Sequence, residues 1–305
     1  MPNHSKLILF ASYQTGDTLP GYVQFALTHL AETDFHVVLL TNKRKLSDET
    51  ERFLKEKNIE LFLTENHGFD FGMWRRYLKV HVVEGLQALE RLLLINDSMV
   101  YFQNNFGEFI RRAEASQADA ISLTENAEVR RHLQSFFLYL KQPALGAFYL
   151  HLMETPEQET FYDVVHKLEI GLARTFEEAE VSMEALYHTK APIMFAYPEL
   201  IAQGAGFVKR KLLQNRFNFK EKVHFIRRGG YDALNANYIN LIEKAGTAPD
   251  FQMDWLPRPV DSSFRRSADK LWEKPFQKVG WPILRTAIKT KYKILGKKLE
   301  GDEYK

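Results

Sequence analysis

Leu92-Leu93-Leu94-Ile95 is a short apolar run of the kind that forms a buried strand, and it stops abruptly in Asn96-Asp97-Ser98. A carboxylate at the end of a central strand is placed for chemistry, since it can bind ribose and sugar hydroxyls or hold a hard divalent cation. Upstream, Asn66-His67-Gly68-Phe69-Asp70-Phe71-Gly72 sets an acid between glycines that permit close backbone approach. Arg75 and Arg76 follow one turn later, and arginine pairs bidentately with phosphate. Downstream, His132-Leu133-Gln134-Ser135 leads into the aromatic run Phe136-Phe137-Leu138-Tyr139. Polar residues flanked by glycine and aromatics, recurring in the loops around one sheet, suit a sugar-nucleotide ligand.

The elements that must position these residues alternate. Residues 6–13, 35–40, 59–63 and 91–95 read as strands. Between them, 22–30, a segment N-capped by Ser47 and stopped at Asn58, and 71–83 read as helices. A helix over 106–116 and strands at 120–123 and 135–140 complete the series. Beyond residue 145 helices are expected over 143–153, 161–178 and, more weakly, 182–188. This order predicts an α/β fold with a largely parallel central sheet covered by helices on both faces. Ligands of such sheets bind at the carboxyl ends of the strands.

Composition narrows the class. A chain of 305 residues, 45% hydrophobic and 13% aromatic, can bury a large core. It contains no cysteine, so disulfides and thiolate-bound metal centres are excluded. The N-terminal apolar run, Leu7 to Ala11, is too short for a signal-peptide core, and no stretch approaches the roughly 18 apolar residues that span a bilayer. A cytoplasmic protein is expected. Neither a Gly-x-Gly-x-x-Gly nor a Gly-x-x-x-x-Gly-Lys-Ser/Thr loop occurs, which argues against dinucleotide and P-loop sites.

The net charge of +2 hides an uneven distribution. Gly246, Pro249, Pro257 and Pro259 interrupt periodicity, which predicts a main domain over 1–250 and an extension over 251–305. Residues 265–298 hold eleven Lys or Arg against two acids, Asp269 and Glu273. Trp281, Leu284, Ile288, Tyr292, Leu295 and Leu299 form one helical stripe, opposite Arg285, Lys289, Lys293 and Lys297. A basic amphipathic helix of this kind fits an anionic inner-leaflet surface, each basic residue adding about 1 kcal/mol. A stripe packed on the domain or on a second subunit is the other reading, whereas nucleic acid fits the regular apolar face poorly.

One ordered series carries a resemblance: Asn66-x-Gly68-x-Asp70-x-Gly72, Asn96-Asp97-Ser98, Leu123-Thr124, His132-x-Gln134-Ser135-x-Phe137, Glu169-x-Gly171-Leu172 and Gly204-x-Gly206-Phe207-x-Lys209-Arg210. It resembles the rhamnan synthesis protein F family of bacterial surface-polysaccharide glycosyltransferases. Two positions depart from that pattern: Gly206 stands where Pro is expected, and Lys211 where an acid is common.

The resemblance implies a GT-A-like nucleotide-diphospho-sugar fold and a hexosyltransferase, inverting, that uses a dTDP-rhamnose or UDP-galactofuranose donor. The product would be a rhamnan, O-antigen or capsule chain built on a lipid-linked saccharide at the inner face of the cytoplasmic membrane. Donor contacts then fall to Asn66, Gly68, Asp70, Arg75, Asn96, Asp97, Ser98, His132, Gln134, Lys209 and Arg210. Asp97 would hold Mg2+ or Mn2+ or the donor's hydroxyls. Glu169 would be the general base, and the glycine-rich segment 203–206 would let Lys209 and Arg210 close over the diphosphate. The plainer alternatives are turn or cap roles for Asp97 and Asp70, a structural His132, an exposed helical Glu169, and a solvated pair Lys209-Arg210 opening a helix over 209–214. At the level of the whole chain, a non-catalytic saccharide-binding subunit and a nucleotidyltransferase are the competing classes.

Overall fold

The computed structural model describes residues 4–42, 45–82, 88–190, 192–193 and 196–210. The extension over 251–305, its amphipathic stripe and the break near 246–259 lie outside the described residues.

Seven strands form one sheet, in the order Met183–Ala185 (β10), Ala120–Ser122 (β6), Phe137–Leu140 (β9), Arg91–Asn96 (β4), Lys6–Ser12 (β1), His36–Thr41 (β2) and Glu60–Leu63 (β3). All neighbours are parallel except that β9 runs antiparallel to both β4 and β6. The fold is therefore α/β with a mostly parallel sheet, as the alternation predicts. The antiparallel β9 has a local cause: the short connections from β6 through Glu125–Asn126 (β7) and His132–Leu133 (β8) carry no crossover helix.

Each face of the sheet is covered. Ile8, Phe10, Leu93 and Ile95 enter one core with Gly21–Leu30 (α1) and Phe106–Ala115 (α4). Leu7, Leu9, Leu92 and Leu94 enter the other with Phe69–His81 (α3), Ala144–Glu154 (α5) and Ile170–Glu178 (α7). The continuous apolar runs of β1 and β4 thus serve both faces by simple alternation. Asp48–Glu56 (α2) begins as its sequence predicts, with Ser47 Oγ accepting from Thr50 N at 3.3 Å, and Asn58 takes the left-handed conformation, φ 53°, after its end.

Three expectations are corrected. Residues 182–188 are not helical, because Met183–Ala185 joins the sheet edge beside β6. Val181 and Ala185 are buried while Ser182 and Glu184 are exposed, a period of two that suits a strand. The helix over 161–178 is not uniform: Phe161–Asp163 (α6) passes through a π turn, Val164–Glu169, before α7. Lys209, expected as the first residue of a helix over 209–214, instead ends Phe207–Lys209 (β11), which pairs antiparallel with Met99–Tyr101 (β5) just after β4, while Arg210 is helical and 211–214 lie outside the described residues. The glycine-rich segment before β11 is held by two hydrogen bonds. Asn105 Nδ2 donates to Gly204 O at 2.8 Å and Phe102 N to Gly206 O at 2.9 Å. Gly206 sits at φ 66°, and a Cβ there would lie 2.5 Å from Gln103 Oε1.

Candidate functional site

The sheet reverses its direction of growth at β1 and β4, which are neighbours although β2 and β3 lie between them in sequence. The carboxyl ends of β1 and β4 flank this switch point, where open α/β sheets bind ligands. Ser12 ends β1 and Asn96 ends β4, with Asp97 next. Because strand side chains alternate, Asn96 and Asp97 serve opposite faces. Two polar clusters result.

Asp97 builds the first. Ser12 Oγ donates to Asp97 Oδ2 at 3.0 Å, and Gln14 Nε2 donates in turn to Ser12 Oγ. Arg210 Nη1 pairs with the same Oδ2 at 2.8 Å and donates to Tyr22 Oη at 2.6 Å. Arg210 reaches it because β11 runs beside β5: Arg210 N donates to Ser98 O at 2.9 Å, and Lys209 Nζ donates to Ser98 Oγ at 3.2 Å. Burial pushes the Asp97 carboxyl above its ordinary pKa, while Arg210, Ser12 and Tyr22 oppose that by stabilising the ionised form. Burial, with the Asp97 charge beside it, pushes the Tyr22 phenol up to about 12. Arg210 Nε is buried and has no hydrogen-bond partner among the described residues, so the guanidinium keeps one donor unspent.

Asp70 builds the second. Gly68, at φ 74°, turns the chain into α3, which puts Asp70 in the first turn, where a carboxylate complements the helix dipole. Asn96 Nδ2 donates to Asp70 Oδ2, and Phe71 N donates to Oδ1 at 3.1 Å. Across from it Glu169, at the end of the π turn, accepts from Ser135 N at 3.1 Å. Burial first and the charge of Glu169 second raise the Asp70 pKa to about 6. Two carboxyls thus share one face, one of them taking up its proton at about pH 6.

The remaining candidates divide. Ser98 joins the first cluster through Lys209. Asn66 lies in the loop before α3, half-buried, two residues ahead of Gly68. Gln134 Oε1 accepts from Thr124 Oγ1 at 2.7 Å, which ties the strand that follows it to the end of β6. His132 is buried with Nδ1 2.7 Å from Arg130 O, the contact of a structural histidine. Arg75, expected on phosphate, donates instead to the carbonyls of Thr155 and Met153 at 2.6 and 2.7 Å. Its charge closes the C-terminal end of α5, whose last carbonyls lack helical partners. Arg76 holds the Asn66 loop through Glu65 O and His67 O. Ser12, Gln14, Tyr22 and Ser135 are site residues that the sequence reading passed over.

Asp97 offers one carboxylate, and its Oδ2 already receives Ser12 and a guanidinium. Among the described residues no group of three or more His, Asp or Glu is arranged to hold a metal. A Mg2+ or Mn2+ at Asp97 would therefore take most of its oxygens from the phosphates of a bound ligand and from water.

The fold and site define an α/β protein with an Asp–Arg pair on one face of the switch point of a mostly parallel sheet and two carboxyls on the other. The chain belongs to the rhamnan synthesis protein F family, whose model matches residues 37–251. It is similar to the virulence protein VirA of Vibrio anguillarum, 23% identical over 223 residues that make up 71% of this chain and 69% of that one. Among solved structures it is similar to a cytidylyltransferase from Leptospira borgpetersenii, at 13% identity and a TM-score of 0.38, over 82% of this chain and 97% of that one. It is also similar to a glycosyltransferase involved in glycosylation of the major capsid of PBCV-1, at 15% identity and a TM-score of 0.33, over 67% of this chain and 94% of that one.

Proposed function

We propose that the protein is a glycosyltransferase that moves a hexosyl unit from a nucleotide-diphosphate sugar to a growing bacterial surface polysaccharide, with inversion at the anomeric carbon. The observation that carries this reading is the Asp97–Arg210 pair at the switch point, where Arg210 and Lys209 bring two positive charges beside Ser98. Leaving-group chemistry needs that charge, because breaking the bond from the anomeric carbon to the diphosphate oxygen leaves negative charge on the nucleotide. Asp97, held by Ser12, and Tyr22 fix the direction of the guanidinium. On the other face Glu169 takes the proton of the acceptor hydroxyl as that oxygen attacks.

The family's part in rhamnan synthesis favours a rhamnosyl donor on dTDP over a galactofuranosyl donor on UDP. Among the described residues no helix is long and apolar enough to cross a membrane. Contact with a lipid-linked acceptor at the inner leaflet rests on the basic stripe of residues 281–299. The test is a transfer assay with labelled dTDP-rhamnose and UDP-galactofuranose and membrane-extracted acceptor, for the wild type and for Asp97→Asn and Glu169→Gln. Transfer by the wild type and loss of 100-fold or more in each variant supports the proposal. A wild type that binds saccharide but neither transfers nor hydrolyses a donor makes it a non-catalytic binding subunit.

A further inference from the structure

Phe161 is the most exposed of the described Phe, Tyr and Trp side chains, 59% accessible. Its ring stands edge-on to Phe69, with centroids 6.0 Å apart. Phe69 is itself unusual: it adopts a left-handed backbone, φ 56°, which a bulky side chain adopts only at a cost. Gly68 before it is also left-handed, so two consecutive residues of this kind turn the chain sharply into α3 and leave Phe69 at the rim rather than wholly in the core. Strain retained at a rim position marks something other than packing.

Both rings are tethered to the carboxyl cluster. Phe69 immediately precedes Asp70. Phe161 begins the helix that reaches Glu169 eight residues later. In an unbroken α-helix eight residues turn through about 800°, which leaves the two side chains about 80° apart. The wider π turn, Val164–Glu169, with Ile170 N bonded to Val165 O, removes that excess and brings Phe161 and Glu169 toward one face. They then lie at most about 12 Å apart along the helix, since an α-helix rises about 1.5 Å per residue and the wider π turn rises less. That separation is more than one sugar ring and suits two or three.

We infer that Phe161, backed by Phe69, is an acceptor subsite: a platform on which the apolar face of a sugar ring of the growing saccharide stacks, one or two residues from the ring whose hydroxyl meets Glu169. This rests on the transferase reading. A flat exposed ring gives stacking area with little ordering cost, and the hydroxyls around a stacked sugar find acceptors in the neighbouring carboxyls. The platform makes the enzyme prefer an acceptor that has already been extended over one that has not.

The experiment measures saccharide binding to the full chain by calorimetry, with methyl rhamnoside and a rhamnose trisaccharide as probes, for the wild type, Phe161→Ala and Phe161→Trp. The wild type is expected to bind the trisaccharide at least tenfold more tightly than the monosaccharide. Phe161→Ala should lose about tenfold on the trisaccharide and change the monosaccharide by less than twofold, and Phe161→Trp should restore the difference. Phe161 is exposed, so its loss leaves the core intact. Equal trisaccharide affinity in wild type and Phe161→Ala overturns the subsite, as does a wild type without length preference. Neither result touches donor binding, which nucleotide titration reads separately.

Discussion

Asp70→Asn should stabilise the protein at alkaline pH while weakening its activity. In the folded protein the Asp70 pKa is raised from 3.8 to about 6, by burial first and by Glu169 second. The folded state therefore holds the proton more tightly than the unfolded chain does. That contribution is fully present below pH 4 and is lost as pH rises through 6. A shift of about 2 units corresponds to about 3 kcal/mol at about 1.4 kcal/mol per unit. Asparagine does not titrate, but its single acceptor oxygen replaces two, so it forgoes one of the hydrogen bonds from Asn96 and Phe71, about 0.5 kcal/mol, and the helix-dipole interaction of the carboxylate, about 0.5 kcal/mol. The net gain at pH 8 is about 2 kcal/mol, or about 5 °C in Tm. Thermal melts of wild type and variant from pH 4 to pH 8 read it directly: the difference should be near zero at pH 4 and rise to its full value by pH 8. A variant that melts lower than wild type at pH 8, or by the same margin at both ends, refutes the reasoning. Transfer by the variant should fall about tenfold, because Asn96 and Glu169 lose the group that couples them, and a gain in stability with a loss of activity marks a functional burial.

Asp97→Asn should stay folded but lose about 2 kcal/mol, since Arg210 is left in a half-buried position without its counter-charge, and urea denaturation measures the loss. Gly72→Ala should cost more than 3 kcal/mol, because a Cβ there would stand 2.0 Å from His67 O, and the soluble yield on expression should collapse. Gly206→Ala should displace β11 and weaken nucleotide binding about tenfold with a smaller stability loss, as its Cβ meets the side chains of Gln103 and Asn105. Truncation after about residue 260 should release the protein from anionic vesicles, read by cosedimentation, and unchanged cosedimentation would remove the basic stripe from membrane binding.

The alternation of apolar runs made the sheet and its ligand-binding end legible, because a buried parallel strand can scarcely be built otherwise. Asp97 was visible by the same rule, and so in principle was Ser12, which follows Leu7-Ile8-Leu9-Phe10-Ala11 as Asn96-Asp97 follows Leu92-Leu93-Leu94-Ile95. The period of two also separates Asn96 from Asp97 onto opposite faces. What sequence could not show was partnership at a distance: Arg210 meets Asp97 across 113 positions, through a three-residue strand too short to announce itself. Arg75 shows the converse, since a guanidinium in a phosphate-like context is satisfied as well by two carbonyls at a helix end. The strand at Met183 was read as a helix because three residues carry little periodicity, and its edge pairing with β6 decides the outcome.

Nucleotide binding at the Asp97–Arg210 pair is most directly tested by thermal shift with dTDP and UDP, with and without Mg2+ or Mn2+, on the wild type and on Arg210→Met. A ligand at 100 times its Kd adds about 2.7 kcal/mol, so Tm should rise by 5 °C or more with one of the two nucleotides. The rise should occur without added metal and should vanish in Arg210→Met. No rise with any nucleotide, or the same rise in Arg210→Met, contradicts the placement of the donor at this pair.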